Sequence, residues 1–182
     1  MDWLIKFSSW KKAGVLLGLN FALQAIILLI MYPLISTSIE PLDVQVGLTS
    51  ESINFFLSEI GSSGRKYYYL NEITVDMLFP LVYSFAYSLL LIELVKSCKL
   101  ISSPLKYIAL LPFGIGISDV IENVHILAAI QSYPEQSDFL INSLFIANMF
   151  KHSLTMIVLS AVFILIFRVV GVKVNRRLKQ SR

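Results

Sequence analysis

A chain of 182 residues with 56% hydrophobic side chains and a mean hydropathy of +0.73 is too apolar for an ordinary soluble domain and long enough for a few membrane spans. Its formal charge of +3 is not gathered into one basic stripe and no nucleic-acid motif accompanies it, so nucleic acid is excluded as a partner. Cys98 is the single cysteine, which leaves neither an intramolecular disulfide nor a thiolate metal site.

In chain order, Met1 to Lys12 mixes Lys6, Lys11 and Lys12 with Trp3 and Trp10, as expected at a headgroup boundary on the cytoplasmic side. The apolar run 13–36 is the first predicted span. It exceeds the length of a secretory h-region, and its small-residue pattern Ser36-Thr37-Ser38 is a weak cleavage signal, so an uncleaved span is the expectation. Asn20 and Gln24, four residues apart on it, are expected to hydrogen-bond to neighbouring helices.

Residues 39–71 read as a polar connection with one ordered insert. Ile53, Phe56, Leu57 and Ile60 recur at helical spacing, Thr49 or Ser50 can cap the start, and Gly61 can end the helix, which predicts a short amphipathic helix over 50–60. Such a helix either lies in the membrane interface or folds over the bundle as a lid, with Gly61-Ser-Ser-Gly64 behind it permitting movement. Tyr67, Tyr68 and Tyr69 then supply an aromatic belt at the head of the next span.

The second span, 73–95, carries Asp76, Pro80, Tyr83, Ser84 and Tyr87 near one face, with Glu72 one turn before them. A short turn flanked by Lys96, Lys99 and Lys106 leads to the third span, 105–130. Here Asp119, Glu122 and Asn123 follow one another at i, i+3, i+4 and share a face with Pro112 and Gly116, while Val120, Ile121 and Val124 cover the others. After the polar loop 131–142, the fourth span, 144–170, places Asn148, Lys151, His152 and Thr155 on one stripe. The fold class is therefore all-α: a single transmembrane domain built as a four-helix bundle, with the amphipathic helix in its first outer loop.

Four spans put Lys6, Lys11, Lys12, Lys96, Lys99, Lys106, Arg168, Lys173, Arg176, Arg177, Lys179 and Arg182 on one side. That distribution predicts cytoplasmic termini, in what is expected to be a bacterial inner membrane. At the depths this topology implies, three spans bring charge to the outer half of the membrane, and turning those faces inward gathers Asp76, Asp119, Glu122, Asn123, Lys151 and His152, with Tyr83 nearby, into one pocket.

An ionised side chain near the bilayer centre costs roughly 2.5–3.5 kcal/mol on insertion scales, so these groups need partners, water or a ligand. Their charges do not balance. Asp76, Asp119 and Glu122 face Lys151 alone as a permanent cation, and the excess calls for a shared proton, a charged His152, water or a bound cationic group. Three readings stay open: a ligand-binding or proton-handling pocket, a polar network that only fixes helix register, and a metal site using Asp76, Asp119, Glu122 and His152. The last lacks an HExxH or paired-histidine signature, and neither metal nor cofactor is expected.

Ser153 points off the His152 face and makes a poor nucleophile. His125 is expected to bond between helices, and Gly114-Ile-Gly116, with no strand before it, serves close helix packing rather than phosphate binding.

Asp76-x-x-x-Pro80-x-x-Tyr83, Leu111-Pro112 followed by Asp119-Val-Ile-Glu122-Asn123, and Ser132-Tyr133-Pro134 together resemble a family of small bacterial four-span membrane proteins to which no activity is attached. More weakly, the four-span layout, the long first outer loop and the turn Ser97-Cys98-Lys99 to Pro104 are similar to the sterol isomerase and sigma-2 receptor superfamily. That resemblance implies membrane acids holding amphiphiles or stabilising carbocations, although this chain does not match the superfamily's catalytic positions residue by residue. Three functions remain. One is a lipid or amphiphile pocket, with or without catalysis, in which Asp76, Asp119 and Glu122 meet the head while Tyr83, Tyr87 and Phe145 line the apolar part. The others are a structural or partner-binding protein, and proton- or cation-coupled transport as an oligomer.

Overall fold

The computed structural model describes residues 1–180, with side chains described through Val172. Helices account for nearly all of it and no strand occurs among the described residues. The basic tail from Lys173 to Arg182 lies outside the described side chains.

Helix α1 (Asp2–Phe7) is short and ends at extended Ser8. Lys96 fixes it from below: its ammonium donates to the Ile5 carbonyl at 3.0 Å and to Ser8 Oγ at 2.6 Å, and pairs with Glu93 at 2.8 Å. Ser9 caps the next helix by accepting from the Lys12 amide, and α2 then crosses as Trp10–Ile35. Five of its residues, Ile27–Met31, form a π-helical turn closed by the Tyr32 amide on the Ile27 carbonyl.

The connection between the first two spans carries α3 (Ser50–Glu59), capped by a reciprocal Thr49–Ser52 box. Ile53, Phe56 and Leu57 are fully buried, packed with Ile35, Leu42, Leu48, Tyr68, Ile126, Ala129 and Leu144. Each such side chain contributes about 1.5–3 kcal/mol by leaving water. The apolar face of α3 thus rests on the end of the bundle, as the lid arrangement requires, and not on the membrane interface.

Two expectations for the following stretch are corrected. Gly61, at φ +64°, ends α3 and at once begins a further helix, α4 (Gly61–Ile73), so Gly61-Ser-Ser-Gly64 is helical and not a hinge. A Cβ on Gly64 would meet Ile60 and the Ile35 carbonyl, which explains a glycine in that first turn. Tyr68, placed in an aromatic belt by its neighbours, is fully buried and stacks edge-on against Phe56. Both follow from the helical register of α4, which turns Tyr68, Asn71 and Glu72 inward while Tyr67 and Leu70 face out.

A break at Thr74 separates α4 from α5 (Val75–Ser97), the most enclosed helix of the bundle. A 3₁₀ segment (Pro104–Leu110) leads into α6 (Leu111–Ser132), and α7 (Asp138–Gln180) returns across. The spans Trp10–Ile35, Gly61–Ser97, Pro104–Ser132 and Asp138–Val172 are each long and apolar enough to cross a membrane. Helix α2 packs on α5, α5 on α6, and α6 on α7. At Gly116 α5 and α6 approach closely: a Cβ there would collide with Ser84 Oγ and lie 3.1 Å from the Pro80 carbonyl. The expected packing role of Gly114-Ile-Gly116 holds here.

Two apolar clusters result. One, at the end carrying α1, centres on Leu89, Leu91, Ile92 and Val95; the other lies beneath α3. The polar side chains lie between them.

Candidate functional site

Helices α5, α6 and α7 bring the predicted residues together. Lys151 of α7 pairs with Asp119 Oδ1 at 3.2 Å and with Glu122 Oε2 in closer contact. Tyr83 of α5 donates to Asp119 Oδ2 at 3.0 Å. Asn123 donates to the Asp76 main-chain carbonyl at 3.0 Å, locking α6 to the start of α5. Asp76, Asp119, Glu122, Asn123 and Lys151 are all buried, and His152 is half-buried with Nε2 enclosed and lacking a hydrogen-bond partner.

Three further residues belong to this layer. Asp43, in the loop before α3, accepts from Tyr32 at 2.6 Å and from Tyr68 at 3.1 Å, while its carbonyl accepts from Lys151 at 2.8 Å. Asn148 donates to Glu122 Oε1 and to the Gln45 carbonyl, each at 2.8 Å, and accepts from the Gly47 amide at 3.2 Å. Glu72 is fully buried, its Oε1 accepting from Asn71 Nδ2 at 3.5 Å and its Oε2 unpartnered. Glu72 and Asn148 extend the stripes of Asp76 and Lys151 by one turn, a signal present in the spacing. Asp43 has no periodic context and could not be found that way.

The charge excess is accordingly larger than the sequence implied. Asp43, Glu72, Asp76, Asp119 and Glu122 surround one lysine, and among the described residues no salt bridge reaches Asp43, Glu72 or Asp76. Among the described residues no group of three or more His, Cys, Asp or Glu side chains is arranged to hold a metal ion.

Beside this layer runs a cleft of about 440 Å³, within the range of small-molecule sites. Asp43, Asp76, Tyr83, Asp119, Lys151 and His152 supply its charged and polar lining. Its apolar lining is Ile27 and Leu28 of α2, Phe79 and Tyr87 of α5, and Val158 and Leu159 of α7. Because α2 rests on α5 while α7 rests on α6, the cleft lies between α2 and α7 and faces sideways, toward lipid. The loop before α3 adds Asp43 and Val44 to its lining.

The predicted set therefore divides. Asp76, Tyr83, Asp119, Lys151 and His152 border the cleft, whereas Glu122 and Asn123 lie behind it, spent on Lys151, Asn148 and the α5 backbone. Three expectations are corrected. Phe145 faces outward beside buried Leu144, one helical step off the inner face, and does not line the cleft. His125 bonds the Ile121 carbonyl of its own helix at 2.6 Å rather than another helix. Asn20, buried on α2, has an unpartnered Oδ1 and lines the cleft with Gln24 instead of bonding across helices.

No family model matches this chain, and neither the curated proteins nor the solved structures contain a match to it.

Proposed function

We propose that this multi-pass membrane protein binds a lipid or amphiphilic small molecule in the cleft between α2 and α7, its polar head at Asp76, Asp119 and Lys151 and its apolar part along Phe79, Tyr87 and Val158. One observation carries the reading: a laterally open apolar slot ends on carboxyl groups that outnumber their cationic partners. A bundle whose polar groups served helix register alone would enclose all of them in packed contacts, as Glu122 and Asn123 are enclosed here, whereas Asp76, Asp119 and Lys151 are buried yet border the cleft. The lysine distribution supports an orientation with both termini cytoplasmic, which turns the acidic end of the slot outward. The weak likeness to the sterol isomerase and sigma-2 receptor superfamily is compatible with an amphiphile pocket and assigns no reaction.

The test compares Asp76→Asn and Asp119→Asn with Glu122→Gln after gentle purification, with co-purifying lipids identified by mass spectrometry and melting followed in detergent. The two cleft variants should lose bound lipid while still folding, and Glu122→Gln should shift melting more than lipid content. Unchanged lipid content in both cleft variants would overturn the reading in favour of a purely structural network.

A further inference from the structure

At the inner end of the same slot, Asn20 is 2% exposed and its Oδ1 has no hydrogen-bond partner, although it sits near mid-membrane where nothing but protein or a ligand can satisfy it. Gln24 and Tyr87 line the wall around it. Asn20 lies about 18 Å inward of Tyr32 along α2, and Tyr87 about 16 Å inward of Asp76 along α5, at 1.5 Å per residue. The slot thus has a charged outer end, an apolar middle and a second polar end of amide and phenol character.

We infer that Asn20 and Gln24 form a second polar contact that reads a hydroxyl group at the far end of the ligand, making the preferred ligand an elongated amphiphile that is polar at both ends. A hydroxyl fits because it donates to the Asn20 oxygen and accepts from an amide in return. An unmodified alkyl end would leave that oxygen unpaired in an apolar wall, which is how such sites discriminate. This inference rests on the proposed lipid-binding role and adds the identity of the ligand's remote end.

Two probes separate the claims: dodecylamine, and the amino alcohol of the same chain length carrying a terminal hydroxyl, each titrated into the full-length protein in detergent and followed by calorimetry. The wild-type protein should bind the amino alcohol about tenfold more tightly. Asn20→Leu should abolish that preference while leaving dodecylamine affinity within about twofold, and Gln24→Leu should reduce it. Equal affinity of the wild-type protein for both probes would overturn the second contact and leave the outer site standing. Binding of neither probe would overturn the outer site and this inference together. Should Asn20→Leu fail to fold, the wild-type comparison and Gln24→Leu still decide the matter.

Discussion

Lys151 is the residue on which the polar layer converges, because its three donors go to Asp119, Glu122 and the Asp43 carbonyl. Lys151→Met leaves two buried carboxylates without their cation, and breaking such a pair costs about 3–5 kcal/mol. Adding Glu122→Gln to that variant should restore part of the loss, measured as a melting midpoint in detergent. Gly116 is constrained by space rather than charge. Gly116→Ala places a methyl group against Ser84 Oγ, which is held by its 2.9 Å bond to the Pro112 carbonyl, so α5 and α6 must part at a cost of about 1–3 kcal/mol. Ser84→Gly should relieve most of that cost in the double variant, and a strictly additive pair would show the clash is absorbed elsewhere.

Helix α3 and the loop before it act as one cap, held by burial of Ile53, Phe56 and Leu57 and by polar clamps from Asn148 and Asp43. Asn148→Leu removes three hydrogen bonds to loop and Glu122 at once. It should raise amide exchange across residues 36–49 with little change in α5 and α6; protection unchanged in the loop would show that apolar burial alone holds it. The four spans and the facing of Asp119, Glu122 and Lys151 were legible because long apolar runs and i, i+3, i+4 spacing are local signals. The burial of α3 was only half legible, since an amphipathic face looks the same whether membrane or protein covers it. Helix α4 was not legible at all: Gly61-Ser-Ser-Gly64 reads as loop, and tertiary contacts of Tyr68 and Glu72 override that composition. Asp43 escaped for a related reason, its role being fixed by contacts with Tyr32 and Tyr68 that no spacing encodes.

In the whole molecule, two apolar clusters bracket a polar layer, and one side of that layer is open between the first and last spans. If the opening is the ligand's path, joining its edges should trap the slot in whichever state it holds. Leu28→Cys with Leu159→Cys, on a Cys98→Ser background and bridged by a short bis-maleimide, should slow exchange of bound lipid by at least about tenfold relative to either single variant. Equal exchange rates would direct attention to the loop before α3 as the route.

The wide turn at Ile27–Met31 gives α2 an unusual tolerance. In an uninterrupted α-helix Tyr32 would stand about 120° around the axis from Asn20, yet both line the same slot. The slower winding of the π-turn takes up most of that angle, so the turn behaves as one residue inserted into the helix without cost to its outer register. Removing Leu29, which is 76% exposed, should therefore convert the turn to regular helix and keep Tyr32 on Asp43, with melting close to that of the intact protein. Removing Leu19, where the winding is regular, should instead rotate buried Ala13 and the attached α1 about 100° away from α5 and abolish folding. A shortened relative of this chain would accordingly be expected to have lost its residue at Ile27–Met31, the one place in α2 where a deletion leaves both faces aligned.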